Sequence, residues 1–373
     1  MSGDAARGPS GRDVRERVSV RMSTAPPTIP KQPMSAKTIR DVAERAGVSP
    51  ITVSRVIRTP EMVAPRTRAA VQAAISALDY IPDTAAGNLS SRKSRTVGVI
   101  LPSLHFEGHV RTVEGLSAEL RRHRFDLLIA DTSYSRTEKV DVLRTLLGLR
   151  PAGIVMISGA HSDAGRELLL RSHVPIVETW GIPTRPLDSV VGFSHAEVGR
   201  TLAEHLIERG YRRIAFVGGS DDGDTNGVER RRGFESAVRE RELDASRIVA
   251  VSGDSLTMEA GRRALEELLE RFPDSDAAVF PTDRLAMGAM MECRRRGIRV
   301  PGDLAVTGHG DFDFGEHLVP ALTTTRIDAR AIGERAAGLL LGRIEGERAG
   351  VAGRTLDVGF ELVVRGSSDA RVP

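Results

Sequence analysis

Apolar residues take up a helical period from residue 38 onward. Ile39, Val42, Ala43 and Ala46 fall at i, i+3, i+4 and i+7, one stripe along a helix that Gly47 ends. Asp41, three residues after Thr38, makes a weak version of a capping box at its start. Ser49 followed by Pro50 supplies an N-cap and a first-turn proline for a second helix, whose buried face is Val53, Val56 and Ile57. A third stripe, Val71, Ala74, Ile75 and Leu78, follows Pro65 and ends near Tyr80, Ile81 and Pro82. Helices this short are marginal in water, so each needs the other two to bury its stripe.

Past residue 95 the pattern becomes short apolar runs separated by longer amphipathic ones. The runs lie at 96–101, 126–130, 153–157, 175–177, 214–217, 278–280 and 304–307, and helical stretches at 110–122, 198–209, 230–240, 257–270 and 284–296 separate most of them. Near-continuous apolar strands alternating with helices predict α/β lobes with parallel sheets covered on both faces. The length available suits two lobes. Ligand sites of such folds lie just beyond the C-terminal ends of the strands.

Two helices on a tight glycine turn form a helix-turn-helix, which sets its second helix in a major groove about 12 Å wide. Ser49 through Arg55 would be the reading helix. Its N-terminal backbone and the Ser49 or Thr38 hydroxyls would approach phosphates, while Pro50, Ile51 and Arg55 would meet base edges. The pattern alone also fits a purely structural helical hairpin. Residues 85–90, followed by the cation-rich stretch 91–95, read either as a plain tether or as a weak helix that orders on a polyanion, with Leu89 as a minor-groove wedge.

Charge sharpens this division. The net charge is +3 for residues 1–35, +5 for 36–95 and −5 for 96–373, a basic head on an acidic body, as suits a polyanion-binding module attached to a domain with another task. Residues 1–35 are rich in glycine and proline without sustained apolar periodicity and are expected to form a disordered leader. Cys293 is the single cysteine, so an intramolecular disulfide is excluded, and the polar start lacks a signal-peptide core. A reducing cytoplasm is the expected location. No apolar run approaches the roughly 18 residues of a transmembrane helix.

Several kinds of chemistry find no support. Residues 216–223 are glycine-rich but lack the spacing of a dinucleotide loop, and no phosphate-binding loop occurs. His105 and His109 stand four apart without a third ligand at a fixed spacing, so no metal is expected. No nucleophile elbow marks a hydrolase, and no cofactor is implied. Ser103, Glu178, Trp180, Thr282, Asp283, His309 and Asp311 do follow apolar runs, and Arg230 begins a helical stretch. A small polyol would use Trp180 as an apolar platform and Arg230, Thr282 and Asp311 as donors and acceptors; Arg230 also suits a carboxylate.

The run from Thr38 to Val56, TIRDVAERAGVSPITVSRV, closely resembles the DNA-binding head of the lactose-repressor family, and the resemblance extends over almost all of residues 37–366. It implies an all-α headpiece (36–82), a hinge helix and linker (83–95) with Leu89 as the wedge, and a two-lobed periplasmic-binding-protein-like core (96–373). By the same resemblance Thr38, Ser49, Thr52, Ser54 and Arg55 match DNA-contacting positions, and Pro50 and Ile51 match those that vary with operator sequence. Ala64 replaces the usual serine before the third helix.

Arg230-Arg231-Arg232-Gly233-Phe234 looks like the family's R-x-x-G-aromatic motif, which carries Arg230 over as the effector-binding arginine. Residues 282–289 look like its N-D-x-x-A-x-G-A motif, with Thr282 in place of asparagine. Gly310 stands at a usual aspartate position, and Gly108 and His109 replace an aromatic pair. The segments around Pro102, Val191 and His309 resemble the gluconate-operon repressor branch. The expectation is a homodimer or higher oligomer that binds double-stranded operator DNA, represses carbohydrate or sugar-acid genes, and responds to a small effector such as gluconate. The competing expectations are a soluble sugar-binding protein without a DNA role and an α/β enzyme.

Overall fold

The computed structural model describes residues 37–81, 94–132, 136–157, 162–220, 225–251, 256–346 and 353–369. They fall into two compact units, one on either side of the 82–93 segment. The expected leader and the expected hinge helix with Leu89 lie outside the described residues.

In the first unit α1 (Ile39–Ala46), α2 (Pro50–Arg58) and α3 (Pro65–Leu78) surround a small core of Val42, Ala43, Val53, Val56, Val71 and Ala74. The local chemistry sets each boundary. The capping box at α1 is complete: the Thr38 N–H donates to Asp41 Oδ2 at 2.7 Å and the Asp41 N–H to Thr38 Oγ1 at 3.4 Å. Gly47 ends α1 at φ 66°, a left-handed conformation that favours glycine. The N-cap of α3, Ala64, offers no side-chain bond, as its sequence requires. Ile57, expected on the buried face, is instead exposed, because Val53 and Val56 already fill the contact with α1 and α3.

The second unit holds two parallel sheets. Its first lobe runs β1 (Thr96–Leu101), α4 (Glu107–Arg122), β2 (Asp126–Asp131), α5 (Arg136–Gly148), β3 (Gly153–Ile157), α6 (Asp163–Ser172), β4 (Ile176–Gly181) and β5 (Ser189–Phe193). The second lobe runs α7 (His195–Glu208), β6 (Ile214–Val217), α8 (Thr225–Glu240), β7 (Ile248–Val249), α9 (Met258–Arg271), β8 (Ala277–Val279), α10 (Asp283–Arg296) and β9 (Ala305–Thr307). The chain then passes through β10 (Thr324–Arg326), returns to the first lobe as α11 (Ala329–Ile344) and β11 (Thr355–Asp357), and closes with β12 (Glu361–Val363), which pairs antiparallel with β10.

Strand order is β11-β5-β4-β3-β1-β2 in one sheet and β7-β6-β8-β9 in the other. The inner strands β1 and β3–β5 are buried along nearly their whole length, as expected of strands covered on both faces. β2 departs from the expectation: it is an edge strand, and Leu128 and Ile129 are exposed. Helix 136–148, helix 163–172 and α11 were not read from the sequence. In 136–148 and α11 the apolar positions are spread around the helix, so no single stripe announces them, and helix 163–172 is ten residues long and buries only Gly165 and Leu169.

Three helix pairs approach through glycine. A Cβ on Gly199 of α7 would stand 1.8 Å from the Arg230 carbonyl oxygen of α8, and one on Gly233 of α8 would stand 1.8 Å from the Ala196 carbonyl oxygen. Gly261 with Gly288 joins α9 to α10 in the same reciprocal way, and Gly115 with Gly333 joins α4 to α11. No side chain fits at such a distance. Gly199→Ala and Gly233→Ala are each expected to destabilise the protein by about 1–3 kcal/mol through overpacking, measured by urea denaturation of the full chain.

Candidate functional site

In the first unit α2 presents its N-terminal face outward. Thr38, Ser49, Pro50, Ile51 and Arg55 are exposed and Thr52 and Ser54 half-buried, while Val53 and Val56 point into the core. Ile51 is 66% exposed, an apolar side chain for which this small unit has no internal use. The hydroxyls expected to approach phosphates have partners already. Ser49 Oγ accepts from the Thr52 N–H at 3.2 Å and lies 2.9 Å from Thr52 Oγ1, and Thr38 Oγ1 donates to Asp41. The face therefore offers a helix N-terminus, an isoleucine and a guanidinium, the set that a groove floor and its phosphates can meet.

In the second unit the strand ends gather an aromatic and histidine cluster. Phe106 and His109 come from the turn after β1 and the start of α4, Trp180 from β4, Phe193 from β5, His195 from the first position of α7, Arg230 from α8, and His309 and Phe312 from the segment after β9. Ring contacts run through it without a gap: Phe106–Trp180 at 5.4 Å, Trp180–Phe193 at 5.9 Å, Phe193–His195 at 4.5 Å and His195–His309 at 5.9 Å between centroids. Phe106 also meets Phe312 at 5.2 Å, so side chains carried by both sheets close on one another.

Polar contacts fix the members. Trp180 Nε1 donates to Thr112 Oγ1 at 3.0 Å, and its φ of 77° turns the residue out of the strand's alternation, a strained backbone of the kind that clusters at binding sites. Arg230 Nη1 lies 2.8 Å from His195 Nδ1, both residues being buried. His309 Nδ1 lies 2.7 Å from Thr325 Oγ1, and His109 Nδ1 lies 3.0 Å from the Ser103 carbonyl.

Of the residues expected here from sequence, Trp180, Arg230 and His309 come together and the others serve the frame. Arg230 does not begin α8 but sits in its second turn, and Glu178 and Trp180 lie within β4, not beyond it, because the strand extends to Gly181. The Glu178 carboxylate accepts the Leu187 N–H at 2.6 Å and braces the β4–β5 connection. Asp311 is held by Arg326 at 2.6 Å and Arg365 at 2.7 Å, so its charge is already answered. Thr282 is the N-cap of α10, accepting from the Leu285 N–H at 3.4 Å, and Ser103 Oγ accepts the His105 N–H at 3.0 Å in the turn after β1. Asp283, wholly buried, accepts from Thr324 Oγ1 and from the Phe312 N–H, which ties the segment after β9 to β10.

His195, Phe106 and Phe312 were missed. His195 obeys the strand-end rule, but its strand, 189–193, is interrupted by Gly192 and was not recognised as one. Among the described residues no group of His, Cys, Asp or Glu could hold a metal ion, and no helix is long and apolar enough to cross a membrane.

Comparison with known proteins agrees with both units. Residues 38–83 match the description "Bacterial regulatory proteins, lacI family" and residues 203–368 a periplasmic binding protein-like domain. The HTH-type transcriptional regulator GntR of Pseudomonas aeruginosa is 35% identical over 331 residues, covering 89% of this chain and 95% of that protein. The chain belongs to the lacI family of bacterial regulatory proteins. GntR of Escherichia coli K12 is 31% identical, covering 88% of this chain and 98% of that one. A crystal structure of a LacI-family regulator from Silicibacter pomeroyi superposes with a TM-score of 0.82 at 30% identity, over 89% of this chain and 99% of that one. This lacI-family protein is thus a DNA-binding transcriptional regulator with a two-lobed α/β core.

The departure at Gly108 now has a steric cause. A Cβ there would lie 2.4 Å from the Trp180 ring, so glycine makes room for the indole, and Phe106 supplies an aromatic beside it.

Burial dominates the titration of this regulator's core. It depresses the His109 and His205 rings to about 4 and, with Arg230 beside them, the His195 and His309 rings well below the usual imidazole range. In the unfolded chain each titrates near 6.5, so below that value the unfolded state takes up more protons and acid favours unfolding. Asp283, pushed up to about 7 by burial, works in the opposite direction between its unfolded value and 7. Four rings outweigh one carboxyl: the melting temperature is expected to fall from pH 7 to pH 5, each fully neutral ring contributing up to about 2 kcal/mol at pH 5. Asp283→Asn removes the opposing group, and its fall over the same range should be steeper in thermal melts.

Proposed function

We propose that this lacI-family regulator is a cytoplasmic homodimeric repressor of sugar-acid catabolism genes, with operator affinity set by an anionic sugar derivative such as gluconate. The domain division is taken as headpiece 36–82, hinge 83–95 and effector-binding core 96–373. The observation that carries the effector reading is Arg230, a guanidinium buried at the strand ends beside His195, with His309 across from it. The planar guanidinium is a donor whose geometry suits a carboxylate. The resemblance of the segments around Pro102, Val191 and His309 to the gluconate-operon repressor branch supports the same ligand class. The residues at the strand ends are read as binding and not catalytic: Thr282 caps α10, Glu178 accepts the Leu187 N–H, and Asp311 is paired with Arg326 and Arg365.

On the DNA side Pro50, Ile51 and Arg55 are assigned to base edges. Thr38, Ser49, Thr52 and Ser54 are assigned to positioning on the backbone, Thr38 and Ser49 acting largely through the helix ends they cap. Leu89 is assigned to the minor groove. Effector binding must distinguish the operator-bound from the released arrangement, and a coupling of about 1–3 kcal/mol would alter operator affinity about 5–150-fold.

Two measurements test this. Isothermal titration is expected to show gluconate or a related acid binding and neutral sugars failing to bind; the reverse result ends the effector reading. In mobility shifts Arg55→Ala should cost about 1–3 kcal/mol on the operator and much less on unrelated DNA, and Leu89→Ala should likewise weaken operator binding selectively. Equal loss on both DNAs would reject these roles.

A further inference from the structure

Two rings bridge the lobes from positions where a ring is locally unfavourable. Phe106 is the N-cap of the 16-residue α4 and Phe312 that of the 3-10 turn Asp313–His317, and neither side chain supplies a capping bond. Serine, threonine, asparagine or aspartate would serve either position better. In place of that local bond stands a contact between segments far apart in the chain. Phe106, on the first lobe, meets Phe312, on the second, edge to face at 5.2 Å and 66°.

Both rings are seated on glycine. A Cβ on Gly108 would stand 2.7 Å from Phe106 Cε1, and one on Gly310 would stand 2.7 Å from Phe312 Cε1. Gly310 also has φ 128°, a backbone that other residues rarely adopt. The glycines noted above at a usual aromatic and a usual aspartate position therefore share one steric cause: a side chain at either would take the space of a ring in the pair. Each ring is also fixed to its own lobe. Phe106 packs on Trp180 of β4 at 5.4 Å, and the Phe312 N–H donates to the buried Asp283 of α10 at 2.9 Å. Moving the lobes apart thus separates the pair. Opposite charge adds to the attraction, since Asp313, next to Phe312, acts on Arg111 of α4.

We propose that Phe106 and Phe312 form an aromatic latch that holds the two lobes together in the ligand-free regulator. The latch acts before any effector arrives and is independent of the sugar-acid reading. An effector that spreads the lobes must break this contact, whereas one that closes them finds closure already favoured.

Pulsed electron paramagnetic resonance on the full-length protein, without ligand, tests the latch. Spin labels go on Asp141→Cys of α5 and Arg263→Cys of α9, exposed positions on opposite lobes, with labelled chain diluted in unlabelled chain. Cys293 is buried and stays native. Wild type should show mainly the shorter separation. The population at longer separation should rise about two- to tenfold in Phe106→Ala and in Phe312→Ala, the range an aromatic pair spans. The variant carrying both should go no further than either alone, because the second substitution has no contact left to remove. Phe106→Leu, which keeps apolar bulk and loses the ring edge, should fall between wild type and Phe106→Ala. Urea denaturation shows whether each variant keeps its fold; if Phe312→Ala does not, the half-buried Phe106 decides alone. A wild type found mainly at the longer separation, a distribution unchanged in Phe106→Ala, or effects that add in the double variant would each overturn the latch.

Discussion

The close approach of α7 and α8 governs the effector end of the molecule. Gly199 receives the carbonyl of Arg230 itself, and Gly233 receives that of Ala196, the residue after His195. The two residues whose side chains meet at 2.8 Å are therefore carried on backbones already in van der Waals contact. A Cβ at either glycine would push the guanidinium and the imidazole apart at the place where they must touch. The spacing of Arg230 to Gly233 is one turn of helix, so the sequence motif is the projection of a packing contact and a ligand contact onto the same turn.

Desolvation supplies the second theme. Buried polar groups are tolerated where they are hydrogen-bonded, and the core obeys this by giving Trp180, His109, His309 and Asp283 named partners. Asp311, whose exposed position in sequence resembles that of a ligand residue, is neutralised by Arg326 and Arg365 and so links the segment after β9 to the strands that cross between lobes. The same network passes through Thr324 to Asp283 and through the Phe312 N–H back to the aromatic cluster. A ligand bound among these rings would act on groups tied directly to the interlobe connections, a physical route for an effector to bias one arrangement of the lobes.

Much of the architecture was legible because it is written in periodicity and caps. Thr38, Ser49 and Pro50 mark helix ends by their side chains and Gly47 by its left-handed backbone, and the runs from Thr96 and Gly153 mark parallel strands by their length and apolarity. The candidate site was legible only in part. Strand-end position found Trp180 and His309, and the R-x-x-G-aromatic resemblance found Arg230, but strand-end position also proposed Glu178, Thr282 and Asp311, because position along the chain does not say whether a polar group has been claimed by a neighbour 9, 3 or 54 residues away.

The amino-acid order by itself determined a basic three-helix head, an alternating α/β body, and the residue types able to meet DNA and an anion, since these follow from local hydrogen bonding, hydrophobic period and charge. Tertiary structure alone decided that β2 is an edge, that Gly108 makes room for Trp180, and that His195 stands against Arg230. Those outcomes depend on contacts between segments far apart in the chain, where packing distance and desolvation choose among side chains that look equivalent in one dimension.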